Sequence, residues 1–379
     1  MDSEIKKDLQ TLFDRIQIYT IPVIVLPQET SDEDIVNIFE RINRMGTRLG
    51  IFELAVARYH PKGIKLNELK IGIKNSSIID ILDEESVLKV MALLQGREPK
   101  SKNLIGLVDP QKSKSDNQAL FYTLWNNSVE SLEKAIRRIK EAYGASNIKV
   151  GKRNSDLIPY TSLIIPLAVL LYESEKRGNA KTLFDKVDFW YWTSVFTQRY
   201  THAVDSKSFS DIRAIIEWYD DKDAIPSLSC NFDYIKGEMM KGARTSAIGK
   251  GFYNLLILNG CKDLLTGQDV KVADCHIDHL FPSSRFPNKA NCIFNLTILD
   301  KNTNQRKRDK LPSEFFQDCL ESHGHNKDKL LKTLESHFIS EKGLDAIKAN
   351  NIDDFIQARA DSFILKLREK FPTGSSGSQ

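Results

Sequence analysis

The sequence predicts a mainly α-helical protein, with one short strand near the N-terminus and another around residue 277. Apolar residues recur at helical spacing through most of the chain, and no internal repeat of fixed period is present. Hydrophobic residues make up 41% of the 379 positions, which is enough for a large buried core. A chain of this length is expected to form two or three domains of about 150 residues each.

Composition limits the classes of function. The net charge of +3 excludes a wholly basic nucleic-acid coat but permits local basic patches. The longest apolar run, residues 157–172, contains two prolines and is too short to cross a membrane, so it predicts a buried helix and no membrane partner. The cysteines form no Cys-x-x-Cys pair, which predicts free thiols in a reducing, cytoplasmic compartment. They are Cys230, Cys261, Cys275, Cys292 and Cys319.

The N-terminal elements follow from apolar spacing and turn residues. Residues 1–18 predict an amphipathic helix, and residues 21–26 predict a strand. Ser31 can cap a second helix, whose acidic first turn suits the helix dipole. A turn at Gly46 and Gly50 then leads to a helix at residues 51–59.

The middle of the chain is predicted to be helical with short breaks. The aromatic cluster at residues 189–192 falls at helical spacing, so core packing is expected, with a base-stacking platform as the alternative. A helix at 245–259 should end at Gly260. The other predicted helices are 83–95, 116–145, 158–176, 184–199 and 208–220, and after the site described next, 326–338 and 342–369.

The stretch from Cys275 to Pro282 concentrates the chemistry of this chain. It holds two histidines and an aspartate within four residues, and on a strand His276 and Asp278 would share one face. Amide side chains follow at Asn295 and Asn304, and then a basic run at 306–310. A carboxylate, imidazoles, amides and basic residues within about 35 positions predict metal-assisted attack on a phosphodiester. Taken singly, each could be a surface residue or a turn former.

The order of these residues resembles the HNH nuclease family, which has the ββα-metal or His-Me finger fold. In that family an Asp-His pair ends the first strand, a central Asn follows the loop, and a second Asn or His lies on a short helix. The resemblance implies that Asp278 and Asn304 hold a divalent ion, that His279 is the general base, and that Asn295 braces the base or its loop. His276 is a further candidate metal ligand.

The proposed chemistry suits these residue types. A neutral imidazole with a pKa of about 6.5 can take a proton from water at cellular pH. Oxygen and amide ligands favour Mg²⁺ or Mn²⁺ over zinc. A zinc site of Cys275, His276 and Cys292 is a weaker alternative, because its spacing fits no common zinc pattern. Three basic residues could neutralise DNA phosphates without reading bases. They are Arg306, Arg308 and Lys310.

A longer resemblance covers both ends of the chain. Residues 276–315 are similar to the C-terminal HNH domain of GmrSD-type modification-dependent restriction enzymes. Residues 21–49, with Ile-Phe-Glu-Arg-Ile-Asn at 38–43, are similar to the end of the N-terminal ParB-like domain of those enzymes. The Asp-Gly-Gln-Gln-Arg motif of that domain is absent from this chain.

This resemblance implies a helical protein with a small ββα-metal (HNH) unit and a partial α/β N-terminal region. The expected domains are a ParB-like remnant at 1–75, a helical middle domain at 76–260, the HNH unit at 261–318, C-terminal helices at 319–371 and a flexible tail at 372–379.

The implied function is a metal-dependent DNA endonuclease or nickase, a phosphodiester hydrolase of restriction or anti-phage defence. The alternatives are a non-catalytic DNA-binding or assembly subunit of a split restriction complex, and a toxin-like nuclease acting on RNA. Besides DNA, the expected partner is a separate sensor subunit or a second copy of the chain. The N-terminal region is expected to be an incomplete domain that pairs with this partner.

Overall fold

A computed structural model describes most of the chain. The described residues are 3–20, 23, 25–27, 29–31, 34, 35, 37, 38, 41, 50–150, 153–178, 180–224, 226, 228 and 230–371. The chain divides into two compact units, residues 1–49 and 50–379. The fold is mainly helical with one small sheet, as predicted. No helix in the described part of the chain is long and apolar enough to cross a membrane.

The first unit contains the predicted N-terminal helix, α1 (Ser3–Gln17). Its apolar stripe is exposed, since Phe13 retains 61% and Ile16 retains 64% of its accessible surface. Within the predicted strand at 21–26, Ile21, Pro22 and Ile24 lie outside the described residues. At Val23 and Val25 the structure has no strand, and both side chains are exposed. Most of the segment at 38–43 and the turn at Gly46 also lie outside the described residues.

Helices form most of the second unit. Ser113 begins the longest of them, because its hydroxyl accepts a hydrogen bond from the backbone N–H of Asp116. Up to residue 258 the described helices are α2 (Ile51–Tyr59), α3 (Leu66–Gly72), α4 (Ser77–Ile81), α5 (Glu85–Leu94), α6 (Ser101–Ile105), α7 (Lys114–Glu141), α8 (Ile164–Arg177), α9 (Ala180–Phe196), α10 (Val204–Asp220), α11 (Phe232–Lys241) and α12 (Ala247–Leu258).

The core of the second unit lies around α8 and α9, where α8 packs against α5, α7, α9 and α10. The aromatic cluster on α9 is buried, so the prediction of core packing is confirmed. Asp211 on α10 joins these helices, because it accepts hydrogen bonds from Trp190 Nε1 at 2.9 Å and from Arg199 Nε at 2.8 Å.

One four-stranded sheet brings the middle of the chain to the predicted chemical segment. Its strand order is β2-β1-β3-β4, with β1 (Asn147–Val150), β2 (Arg153–Asp156), β3 (Cys275–His279) and β4 (Leu296–Asp300). Strand β1 pairs antiparallel with β2 and parallel with β3, and β3 pairs antiparallel with β4. The β1–β2 hairpin was not predicted, and it makes the chemical segment part of a larger sheet.

Five helices follow the sheet, which are α13 (Lys301–Lys307), α14 (Pro312–Ser322), α15 (Lys327–Glu335), α16 (Glu341–Lys348) and α17 (Ile352–Arg368). The single helix predicted at 342–369 is wrong, because the chain breaks between α16 and α17. Asn350 there has a φ of 50°, and the Asn351 side chain accepts backbone N–H groups at the start of α17.

A buried arginine ties α17 to the sheet. Arg359 is fully buried, and its guanidinium donates to the carbonyl oxygens of Phe294 at 2.7 Å and Leu296 at 2.9 Å. It also donates to the carbonyl oxygen of His337 at 3.0 Å and to the hydroxyl of Thr297 at 3.1 Å. Burial lowers the pKa of Arg359 to about 9. These bonds hold the backbone that enters β4.

Candidate active site

Strand β3 carries the candidate residues at its C-terminal end. Burial alternates along it, so Cys275, Ile277 and His279 point to the buried side while His276 and Asp278 are partly exposed. The predicted shared face of His276 and Asp278 is therefore observed. Asp278 lies opposite Thr297 of β4, which fixes the register at the end where the site forms.

His279 is held by its neighbours on three sides. Its backbone N–H donates to Asp278 Oδ1 at 2.8 Å, and its ring Nδ1 lies 3.2 Å from the same oxygen. Nε2 lies 3.0 Å from Arg244 Nη2 and 3.2 Å from Asn291 Oδ1. An arginine only donates, so the contacts with Arg244 and Asp278 fit the tautomer with its proton on Nδ1, whereas the Asn291 oxygen would accept a hydrogen bond from Nε2 in the other tautomer. The side chain of His279 is only 11% exposed.

The carboxyl group of Asp278 is ionised in this environment. Burial opposes its ionisation, but hydrogen bonds from the His279 ring and backbone and the charge of Lys307 outweigh that effect and lower its pKa to about 2. Its side chain remains 35% exposed. Asp278 is therefore an accessible carboxylate at neutral pH, which is what a hard cation requires.

Asn295 holds the loop between β3 and β4. It is fully buried, and its Nδ2 donates to the carbonyl oxygens of Phe281 and Ala290, both at 2.9 Å. Its Oδ1 accepts the backbone N–H of Phe281 at 2.8 Å. These bonds engage the whole side-chain amide with the backbone of the loop that follows His279, so Asn295 fixes the position of that loop.

Helix α13, which carries Asn304, packs against β3 and β4. Asn304 is half-buried, and among the described residues no hydrogen bond reaches its side chain. His276 is also half-buried, and its Nε2 is buried without a hydrogen-bond partner in the described structure. The Asn304 amide and the Nε2 atom of His276 are thus left without hydrogen-bond partners among the described residues.

These residues fit a divalent ion held by few protein ligands. In the described part of the chain no three His, Cys, Asp or Glu side chains converge as they would around zinc. Cys275 points to the buried side of β3, away from His276, which argues against the zinc alternative. Mg²⁺ often binds through one or two protein groups, with water and substrate phosphate as its other ligands. Asp278, Asn304 and His276 would suit such a site.

The basic run divides into residues of different kinds. Arg306 and Arg308 are exposed, while Lys310 pairs with Asp318. Lys307 is 2% exposed, and burial lowers its pKa although the charges of Asp278 and Asp309 oppose that shift. Sequence reasoning missed Lys307. It follows Asn304 by three positions, a spacing that places both on one side of α13.

Arg244 and Asn291 were also missed. Arg244 belongs to the segment between α11 and α12, and Asn291 belongs to the loop before β4. Both approach His279, and both line a cleft with a volume of about 610 Å³. No local pattern marks them, because their contacts with His279 depend on how distant segments fold together.

The site region matches a known family. Residues 263–313 match the family described as HNH endonuclease. The chain carries an HNH endonuclease domain. The family is described as an endonuclease family, and HNH nucleases generally use divalent metal ions. The observed ββα arrangement of β3, β4 and α13 lies within the matched residues.

One relative covers nearly the whole chain. An uncharacterised protein of Methanocaldococcus jannaschii is 29% identical over 93% of this chain. The chain spans 63% of the length of that relative. No solved structure is significantly similar to this chain.

Proposed function

We propose that this chain is a metal-dependent HNH endonuclease or nickase that cleaves DNA with His279 as its general base. The observation that carries this proposal is the pair at the end of β3. Asp278 is ionised and lies 3.2 Å from Nδ1 of His279, so it stabilises the tautomer whose Nε2 can accept a proton. The same pairing supports the imidazolium that forms once the proton has moved.

Each neighbouring residue has a defined part in this proposal. His279 takes the proton from the attacking water, and Asn295 keeps the following loop in place. Asp278, Asn304 and His276 are the candidate ligands of Mg²⁺ or Mn²⁺, which when bound would stabilise the charge that develops on the leaving oxygen. Arg306 and Arg308 are free to contact DNA phosphates. Lys310 can do so only by leaving Asp318.

The biological setting is proposed on the resemblance at residues 276–315. We infer a role in restriction or anti-phage defence, with a GmrSD-like arrangement in which another chain or a second copy of this one supplies a modification sensor. The absent Asp-Gly-Gln-Gln-Arg motif makes nucleotide hydrolysis by this chain alone unexpected.

Nicking of supercoiled plasmid DNA tests the proposal. The full chain should nick the plasmid with Mg²⁺ or Mn²⁺ and stop after chelation, and His279→Ala should lower the single-turnover rate by about a hundredfold or more. His202→Ala is the matched control, because His202 is exposed and far from β3 in sequence. DNA binding without cleavage by the parent would favour the assembly subunit. Faster cleavage of single-stranded RNA would favour the ribonuclease.

A further inference from the structure

The cleft beside His279 has the size and the lining of a binding site. It lies between residues 240–244 and 288–292, with Asp353 and Ile356 of α17 along its wall. Its volume of about 610 Å³ falls within the usual range for small-ligand sites. One nucleotide unit of a DNA strand would fit in such a space.

The charge of this cleft is positive. Lys241, Arg244 and Lys289 line it, and the one acidic side chain in its lining, Asp353, pairs with Lys289. Neither Lys241 nor Arg244 forms an ion pair with any carboxylate of the described residues. Two cations therefore remain for an anionic ligand, together with the amides of Asn288 and Asn291.

Arg244 covers the atom that the proposed mechanism uses. Its Nη2 lies 3.0 Å from Nε2 of His279 and 3.4 Å from Nδ1. While this contact lasts, the lone pair of Nε2 is engaged and water cannot donate to it. A phosphate would compete for the guanidinium, because charge-assisted bonds from arginine to phosphate are stronger than a bond to a neutral nitrogen.

We propose that the cleft binds a backbone phosphate of the DNA strand through Arg244 and Lys241, and that this binding draws Arg244 away from His279. Arg244 is then a positioning residue that frees the base only when DNA is present. The phosphate site stands on the cleft and its charges. The release of His279 rests, in addition, on the proposed function.

Salt-dependent binding tests the phosphate site without any cleavage. The full chain and its variants are titrated with a fluorescent DNA duplex in chelator, over a series of salt concentrations. Lys241→Ala with Arg244→Ala should flatten the slope of log K against log salt by about two and weaken binding about tenfold at low salt. The control is the double variant Arg137→Ala with Lys140→Ala, which removes the same amount of charge from the exposed surface of α7.

Equal slopes for the cleft and control variants would overturn the phosphate site. Should the double variant fail to fold, Lys241→Ala alone, at an exposed position, still predicts a slope change of about one. Arg244→Lys should restore most of the slope but not all of the affinity, since lysine lacks the two-pronged geometry of the guanidinium.

Nitrogen NMR of the histidine rings tests whether DNA binding releases His279 from Arg244. The resonances of His279 are assigned as those missing from the spectrum of His279→Ala. In the parent, adding the duplex in chelator should move the Nε2 resonance of His279. In Arg244→Ala the free protein should already lack the arginine contact, so the response should be small. An equal response in both proteins would refute the release. Binding with the predicted slopes but no nicking would refute the proposed function and leave the phosphate site standing.

Discussion

Single residues decide whether the site at the end of β3 keeps its shape. Asn295 satisfies three backbone groups that have no access to water, so its loss would leave buried donors and acceptors without partners. His279 and Asp278 lie at the edge of the loop that these bonds hold. Replacing Asn295 is therefore expected to lower both stability and activity, although the bonds of its side chain are to the backbone.

Replacing Asn295 with alanine should destabilise the protein by about 2–4 kcal/mol, because several buried backbone groups lose their partners. The single-turnover nicking rate should also fall at temperatures where the variant is still folded. Thermal and urea denaturation measure the first effect. Ser284→Ala is the control, because Ser284 is exposed on the same loop, and an equal effect of both changes would contradict the assignment.

Replacing Lys307, unlike replacing Asn295, is expected to improve the site. Its buried ammonium group lies in the electrostatic field of Asp278. Lys307→Met should lower the Mg²⁺ concentration needed for half-maximal nicking, because a competing cation has been removed. Stability should be unchanged or higher, because burial disfavours the charged form of Lys307 and methionine carries no charge to bury. Lys301→Met, at the exposed start of α13, should change neither quantity. A higher Mg²⁺ requirement in Lys307→Met would show that the ammonium group assists the site.

The site residues proposed from the sequence are those that lie close together in the chain. Asp278 and His279 stand out by their order and spacing, and the resemblance to the HNH nuclease family gave them and Asn295 their proposed roles. Arg244 was not identified, because its contact with His279 joins positions 35 residues apart in different segments. Lys307 was not singled out within the basic run, because its burial depends on its position on the folded helix α13.

At the scale of elements, long helices were predicted well, whereas the β1–β2 hairpin was missed. Periodicity over many turns identified α7, whereas β1 and β2 have four residues each, too few for a strand pattern to stand out. Their place in the sheet depends on pairing with β3, more than a hundred residues later. The break between α16 and α17 depends on a left-handed residue, Asn350, that apolar spacing does not reveal.

The anchor between α17 and β4 gives an element-scale prediction. Arg359→Met should destabilise the protein by about 3–5 kcal/mol, because carbonyl groups around β4 lose a buried donor that methionine cannot replace. Urea denaturation of the full chain measures this change. Arg368→Met, near the exposed end of α17, is the control. A loss below about 1 kcal/mol would mean that water or a local shift replaces the guanidinium.

His337 next to this anchor gives a pH dependence. It is buried and neutral, with Nε2–H donating to the Lys262 carbonyl at 2.6 Å and Nδ1 accepting from Thr297 at 2.7 Å. Burial, opposed by that carbonyl bond and assisted by the charge of Arg359, lowers its pKa from 6.5 to about 3.

Below pH 6.5 His337 therefore binds a proton in the unfolded state but remains neutral in the folded state. The contribution of His337 to stability is complete above pH 6.5 and is lost as the pH falls toward 3, by up to about 1.4 kcal/mol per pH unit. Urea denaturation between pH 7 and pH 4 measures the slope. His337→Gln should reduce it, whereas His202→Ala should not, and an unchanged slope in His337→Gln would assign the effect to other groups.

At the scale of the whole molecule, the exposed apolar stripe of α1 predicts association with another chain. Scattered apolar residues are common on surfaces, but a continuous stripe on one helix usually marks an interface. The full chain should self-associate with rising concentration, and Leu12→Ser with Phe13→Ser should reduce this. Sedimentation velocity measures it. Leu365→Ser is the control, as Leu365 is a lone exposed apolar residue on α17. A parent that stays monomeric at all concentrations would contradict the prediction.

The parallel pairing of β1 with β3 has a consequence for protein engineering. Here an excised fragment beginning near residue 262 would leave the backbone groups of β3 unpaired along one side, where Lys149 and Val150 now bind. An unpaired edge of a sheet can pair with strands of other molecules. The fragment should therefore aggregate unless residues 147–156 are included with it. A transferable HNH domain of this chain would therefore be discontinuous in sequence.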